Sequence, residues 1–236
     1  MLAGKVTVDG ELADKAGRLF PENCSPQVLA GARPYVSRGG LKLERAFKTF
    51  RVLAEGKTAV DVGASTGGFT DCLLQHGAAK VYAIDVGYGQ LDWKLQNDAR
   101  VVRLDRQNIR HLEPSQIGNP VDLAVIDVSF ISLKIVIPPV IKLLKPEGDL
   151  IALVKPQFEV GKAEVEKKGI IKDWRKHLNV LLALDDFVRE QNWPLCDIVP
   201  SPIAGQKGNK EFLIHCARGE RREPVGEERI RDAVLE

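Results

Sequence analysis

Asp61-Val-Gly63-Ala-Ser65-Thr-Gly67-Gly68-Phe69 decides the fold. It follows a short β-branched run, Thr58 to Val62, and opens onto Gly68 to His76, which has helical spacing. A glycine-rich turn between a strand and a helix lets backbone approach a ligand closely, and the first amides of the helix then face that ligand. Downstream of the turn, short apolar runs recur at Lys80 to Val86, Val101 to Leu104, Val121 to Val128, Asp149 to Val154, Leu195 to Val199 and Glu211 to His215. Amphipathic or mixed segments separate most of them, notably Ser132 to Leu144 and Lys172 to Gln191. Continuous apolar strands divided by helices predict a buried, mostly parallel sheet of seven strands with helices on both faces. The expectation is a Rossmann-like, doubly wound α/β domain over residues 37–216, with ligands at the carboxyl ends of its strands.

The turn also discriminates between cofactors. A nicotinamide enzyme would show G-x-G-x-x-G, whereas here Ser65 takes the middle position and Gly67 and Gly68 are adjacent, so the dehydrogenase reading is weakened. A D-x-G-x-[GS]-x-G turn suits S-adenosyl-L-methionine in methyltransferases of this sheet type. Asp85 ends the second strand 22 residues after Gly63, where a carboxylate can accept both ribose hydroxyls of an adenosine. Asp105 ends the third strand, where it would accept the adenine amino group. The expected cofactor contacts are Asp61, Gly63, Ala64, Ser65, Thr66, Gly67, Gly68 and Phe69, with Asp85, Val86, Asp105 and Asp127. Asp127 and Lys155 each close an apolar strand with one ionisable residue at the ligand edge, a placement costly in a core and natural at a site.

Charge and composition narrow the class. The chain of 236 residues carries 34 basic and 32 acidic side chains and is 44% hydrophobic, which fits a globular protein of one to two domains. Its longest charge-free runs fall short of the ~20 apolar residues that span a bilayer, and no apolar leader follows Met1, so a soluble cytoplasmic protein is expected. Four scattered cysteines suit buried thiols in a reducing compartment. Cys72 and His76 lie four apart, but two ligands do not make a zinc site, and no metal is expected.

The net charge of +2 is unevenly spread. From Arg33 to Arg51 there are six basic residues against the single acid Glu44, so this segment is +5 and the remainder −3. At about 100° per residue, Leu43, Ala46, Phe47 and Phe50 share one side of a helix from Ser37 onward. Arg38, Lys42, Arg45 and Lys48 form a basic stripe on the other side. Before that helix, Lys5 to Val8, the turn Asp9-Gly10 and Glu11 to Ala13 read as a β-hairpin, and Pro21 to Pro34 as a connector. The tail 217–236 holds five basic and six acidic residues, enough for a short surface helix.

Five ordered motifs carry a resemblance: Arg38-Gly-Gly-Leu-Lys42-Leu, the turn from Asp61 to Asp71, Asp127-Val-Ser-Phe-Ile-Ser-Leu133, Val154-Lys-Pro-Gln-Phe-Glu159 and Gly208-Asn-Lys-Glu211. Together they resemble the TlyA (haemolysin A) family of FtsJ-like methyltransferases over nearly the whole chain. The resemblance implies S-adenosylmethionine-dependent 2′-O-methylation of ribose, with cytidine the expected nucleotide, in ribosomal RNA or ribosomal subunits. It also implies a catalytic tetrad of Lys42, Asp127, Lys155 and Glu211. Lys155 is then either the general base, which needs its pKa to fall from ~10.4, or the cation that stabilises a developing alkoxide. Arg38, Arg45, Lys48, Gln206 and Asn209 are expected to contact RNA, and the lysine-rich segment from Gly161 to Lys168 is a candidate mobile edge. Residues 1–30 resemble only the later β part of an S4-type RNA-binding domain, with 31–36 as linker; the two helices expected before that part are not in this sequence. A non-catalytic RNA-binding or ribosome-assembly module on the same fold is the competing reading.

Overall fold

The computed structural model describes residues 6–9, 11–12, 20–21, 24–28, 34–161, 169–205, 208–218 and 223–236. The chain divides into two compact units, Met1–Pro34 and Tyr35–Glu236. In the first, β1 (Val6–Val8), β2 (Glu11–Leu12) and β3 (Pro26–Val28) form an antiparallel sheet in the order β2-β1-β3. The expected hairpin is present, but the third strand comes from the stretch read as a connector. Pro26 stands at the first residue of an edge strand, opposite Val8, where its missing N–H removes no ladder bond. Asp9 Oδ1 accepts the Ser25 amide at 3.0 Å and fixes the return of the chain.

The second unit runs α1 (Gly39–Phe50), β4 (Thr58–Val62), α2 (Gly68–Gln75), β5 (Lys80–Asp85), α3 (Trp93–Gln96), β6 (Val101–Asp105), β7 (Val121–Ile126), α4 (Leu133–Ile141), β8 (Leu144–Val154), α5 (Pro156–Glu159), α6 (Trp174–Glu190), β9 (Leu195–Pro200), β10 (Phe212–Ala217) and α7 (Glu227–Leu235). Its seven-stranded mixed sheet has the order β6-β5-β4-β7-β8-β10-β9. β4 pairs in parallel with β5 and β7, β5 with β6, and β7 with β8, while β10 runs antiparallel to β8 and β9. The order reverses between β4 and β7, and the crevice outside the carboxyl ends of the strands opens at such a reversal.

Alternate residues of each strand enter two cores. Ala59, Ala83, Leu123, Val125, Ile151 and Leu153 pack with α1, α2 and α3; Val60, Ile84, Ala124, Ile126, Leu150 and Ala152 pack with α4, α6 and α7. Burial on both faces explains why the strands read as unbroken apolar runs.

Two expectations are corrected. The tail is no surface appendage, because Ile230, Ala233 and Val234 of α7 enter the main core. Lys42 does not belong to the outer basic stripe. It lies about 100° round the helix from Leu43, at the border of the two faces, and is buried. The exposed stripe is Arg38, Arg45 and Lys48.

Candidate active site

The turn after β4 is built by close approach of backbone. Gly63 has φ +87°, and a Cβ there would strike the carbonyl of Asp127, where the ends of β4 and β7 converge. Gly67, at φ +95°, caps α2 and lies against Leu91 and Leu95, so neither glycine accepts a side chain. Below the turn, Asp61 is fully buried, and its Oδ2 accepts a hydrogen bond from Thr70 Oγ1 at 2.7 Å. Burial pushes the Asp61 carboxyl up to about 7; the Thr70 bond pulls the other way, and the neighbouring Asp127 charge adds to the rise. Asp61 Oδ1 has no hydrogen-bond partner among the described residues.

Beside the turn lies a cleft of about 490 Å³ lined by Gly63, Ser65, Asp85, Val86, Gln90, Gln107, Asn108, Ile109, Asp127, Val128, Ser129 and Phe130. Asp85 holds its shape: Oδ2 accepts the Ser65 amide and Oδ1 the Gly87 amide, each at 2.7 Å. Each carboxylate oxygen keeps a second lone pair for a hydroxyl donor. Val86 is exposed at the rim and offers an apolar surface. Of the expected turn contacts, Gly63 and Ser65 line the cleft; Ala64, Thr66, Gly67, Gly68 and Phe69 shape the turn behind it.

Asp105 does not line this cleft. It lies in a narrow gap with Ala64, Gly87 and Leu91 and accepts the Gly89 amide at 3.4 Å. The polar side chains at that end of the cleft are Gln107 and Asn108, which the strand-end pattern of acids does not include. The signal for them is the polar run Arg106-Gln-Asn108 between the end of β6 and the buried Ile109, since loops at carboxyl strand ends form the ligand rim.

The four tetrad residues form two ion pairs at the edge where β7 and β8 end and β10 begins. Lys155 Nζ lies 2.6 Å from Asp127 Oδ1 and donates to Ser129 Oγ at 3.0 Å. Lys42 Nζ lies 2.6 Å from Glu211 Oε2, with the two residues only 8% and 3% exposed. Phe212 of β10 pairs with Val154 of β8, so Glu211 and Lys155 are the next residues past that pair on adjacent strands. Glu159 fixes the loop that follows Asp127 and leads into α4, accepting from Ser132 Oγ at 2.6 Å and from the Leu133 amide at 2.9 Å. Burial raises the Glu159 carboxyl against those two bonds. Phe130 projects from this loop at φ +64°, 87% exposed, with its ring 4.9 Å from that of Phe158.

Of the expected RNA contacts, Arg38, Arg45 and Lys48 are exposed, although Lys48 also pairs with Glu44 at 2.7 Å. Asn209 is corrected. It is 3% exposed, its Oδ1 accepts the Ile171 amide at 3.0 Å and its Nδ2 donates to the Gly169 carbonyl at 2.9 Å, so it clasps two loops rather than facing solvent. Gln206 and residues 162–168 lie outside the described residues.

A buried carboxylate oxygen without a donor, a glycine-tight turn and a strand-end acid beside an open cleft fit the ammonium and ribose of S-adenosylmethionine. Comparison with known proteins agrees. The FtsJ-like methyltransferase model matches residues 35–218. The chain is 44% identical over 213 residues to the 16S/23S rRNA (cytidine-2′-O)-methyltransferase TlyA of Mycobacterium tuberculosis, covering 90% of this chain and 80% of that protein. A solved structure from Streptococcus thermophilus that carries the name hemolysin superposes with a TM-score of 0.85 at 39% identity, covering 99% of this chain and 86% of that one. Magnesium protoporphyrin IX methyltransferase from Synechocystis PCC 6803, solved with bound SAM, shares the fold at 14% identity, with a TM-score of 0.52 over 76% of this chain and 78% of its own. No helix among the described residues is long and apolar enough to cross a membrane. From just before α1 to the last strand of the sheet, residues 35–218, this chain belongs to the FtsJ-like methyltransferase family.

Proposed function

We propose that this protein methylates the 2′-oxygen of a ribose, that of a cytidine, in ribosomal RNA within the cytoplasm. The observation that carries the reading is the Lys155–Asp127 ion pair, set at the edge of the cleft with Asp127 and Ser129 among its lining residues. The M. tuberculosis relative named for this reaction supports it.

Asp61, Asp85 and the amides of the turn would hold S-adenosylmethionine, and Val86 would cover one face of its adenine. Bound there, it supplies a methyl group on a sulfonium that leaves readily. The protein's remaining task is to align the 2′-hydroxyl and manage its proton. In the ion pair, the Lys155 ammonium lies against the Asp127 carboxylate and donates a hydrogen bond to Ser129. That arrangement favours the second of its two expected roles, the cation that meets negative charge developing on the 2′-oxygen. Asp127 orients the ammonium and offers a second carboxylate oxygen to the hydroxyl proton. Lys42 and Glu211, buried as a pair, stand at the same strand edge. The exposed stripe of Arg38, Arg45 and Lys48 would contact phosphates, and Phe130 offers an exposed ring on which a base can stack.

The experiment is methyl transfer from tritiated S-adenosylmethionine to ribosomal RNA. Lys155→Ala is expected to lower turnover by about 10²-fold or more while leaving cofactor affinity by calorimetry unchanged. A variant that transfers at the wild-type rate overturns the assignment of Lys155.

A further inference from the structure

Glu211 is held by a loop that no periodicity of the sequence announces. Ser201 donates its amide to the Glu211 carbonyl at 2.8 Å, closing the base of the loop, and Gly205 donates its amide to the Asn209 carbonyl at 2.9 Å. Gly208 donates to the Gly205 carbonyl at 3.2 Å, and the Asn209 side chain ties the loop to Ile171 and Gly169. The backbone at Gly205 is therefore pinned from several directions.

Gly205 itself is not in the left-handed region, unlike Gly208 at φ +86°, so its φ does not by itself call for glycine. What excludes a side chain is Glu211. A Cβ on Gly205 would strike the Glu211 carboxyl group and stand 3.1 Å from its Cγ. The carboxyl thus rests on the bare Cα of Gly205, on the way to its 2.6 Å contact with Lys42. With the Gly205 backbone pinned, the movable partner is the carboxyl group, and Glu211 has almost no solvent to move into, being 3% exposed.

We infer that Gly205 is a positioning residue for the tetrad: the absence of a side chain there sets the conformation of Glu211 that reaches Lys42. The catalytic part of this inference rests on the proposed methyl transfer; the packing part does not. A methyl group at 205 pushes the Glu211 carboxyl off Lys42 without touching the cofactor cleft, whose lining residues all lie elsewhere.

The test is a cycle read in two ways. Gly205→Ala in the otherwise wild-type chain is expected to lower the melting temperature, although replacing glycine at a position of ordinary φ would normally raise it. In a Lys42→Met/Glu211→Ala background, where the buried charges are gone as a pair and the space beside Gly205 is vacated, the same substitution is expected to leave the melting temperature unchanged or raise it. A Gly205→Ala chain that folds only in the second background supports the inference equally. The same drop in both backgrounds, or no drop in the first, overturns it. For the catalytic part, Gly205→Ala should cut turnover at saturating cofactor and RNA at least tenfold with cofactor affinity unchanged. Wild-type turnover in a variant that shows the stability cycle would leave Gly205 a packing residue and overturn the positioning role. A wild-type chain that transfers no methyl group to RNA would overturn the proposed function and, with it, the catalytic part, while the melting cycle still decides the packing.

Discussion

Asp61 places a carboxyl group where water does not reach, and the cost shows in pH. Its folded-state value of about 7 stands above the ordinary 3.8. Between about pH 4 and pH 7 the folded chain therefore keeps a proton that the unfolded chain has released, and stability falls as pH rises through that window. Above it the penalty is complete. Asp61→Asn still offers an acceptor to Thr70 and cannot ionise, so in the cofactor-free protein it is expected to raise the melting temperature at pH 8 and change it little at pH 4. An equal change at both pH values would show that the carboxyl is not held protonated. Asp149 at the other end of the sheet has the opposite sign. Burial alone would raise it, but bonds from His215 at 2.9 Å and Lys57 at 3.0 Å more than offset that and hold it at about 2. Its contribution is present above about pH 4 and is lost as pH falls through about 2.

At the scale of elements, α1 performs two tasks that its sequence shows with unequal clarity. Its buried face was legible because Leu43, Ala46, Phe47 and Phe50 keep helical spacing. Lys42 was not, because a residue at the border of two faces is assigned by what lies opposite, and Glu211 is 169 positions away in sequence. The outward stripe makes a separate prediction. Replacing Arg38, Arg45 and Lys48 together by alanine should weaken RNA binding and flatten the plot of log affinity against log salt by about 0.7–0.9 for each phosphate that the stripe neutralises. An unchanged slope would move the RNA to another face. The C-terminal helix shows the converse failure of legibility. Eleven charges in residues 217–236 conceal a stripe of three apolar residues, and only the packing of Ile230, Ala233 and Val234 shows α7 to be part of the core. Ile230 is fully buried, so Ile230→Ala should cost about 2–5 kcal/mol in denaturant unfolding. A cost within about ±0.5 kcal/mol, that of a surface substitution, would place α7 outside the cooperative unit.

For the molecule as a whole, the strands were readable because the sheet is buried on both faces and each run is bounded by turns, whereas their order in the sheet came only from the fold. The edge that carries the candidate site stood out in the sequence because acids and a lysine end those runs at the same side. Residues that only the folded chain could assign are Asn209, clasped to Ile171 and Gly169, and Gly205, under Glu211 of the same loop; Gln107 and Asn108, which line the cleft where Asp105 does not, left only the weak signal of a polar run. Asn209 and Gly205 act through loop packing, which leaves no period in the sequence. The central claim is that this edge methylates a ribose oxygen. Its most direct test is nucleoside analysis by mass spectrometry of unmodified ribosomal RNA incubated with the protein and S-adenosylmethionine, with the Lys155→Ala chain alongside. The account predicts that 2′-O-methylcytidine appears with the wild-type protein and is at least about a hundredfold slower to appear with the variant. A methyl group found on a base, or no methylated nucleoside at all, would contradict it.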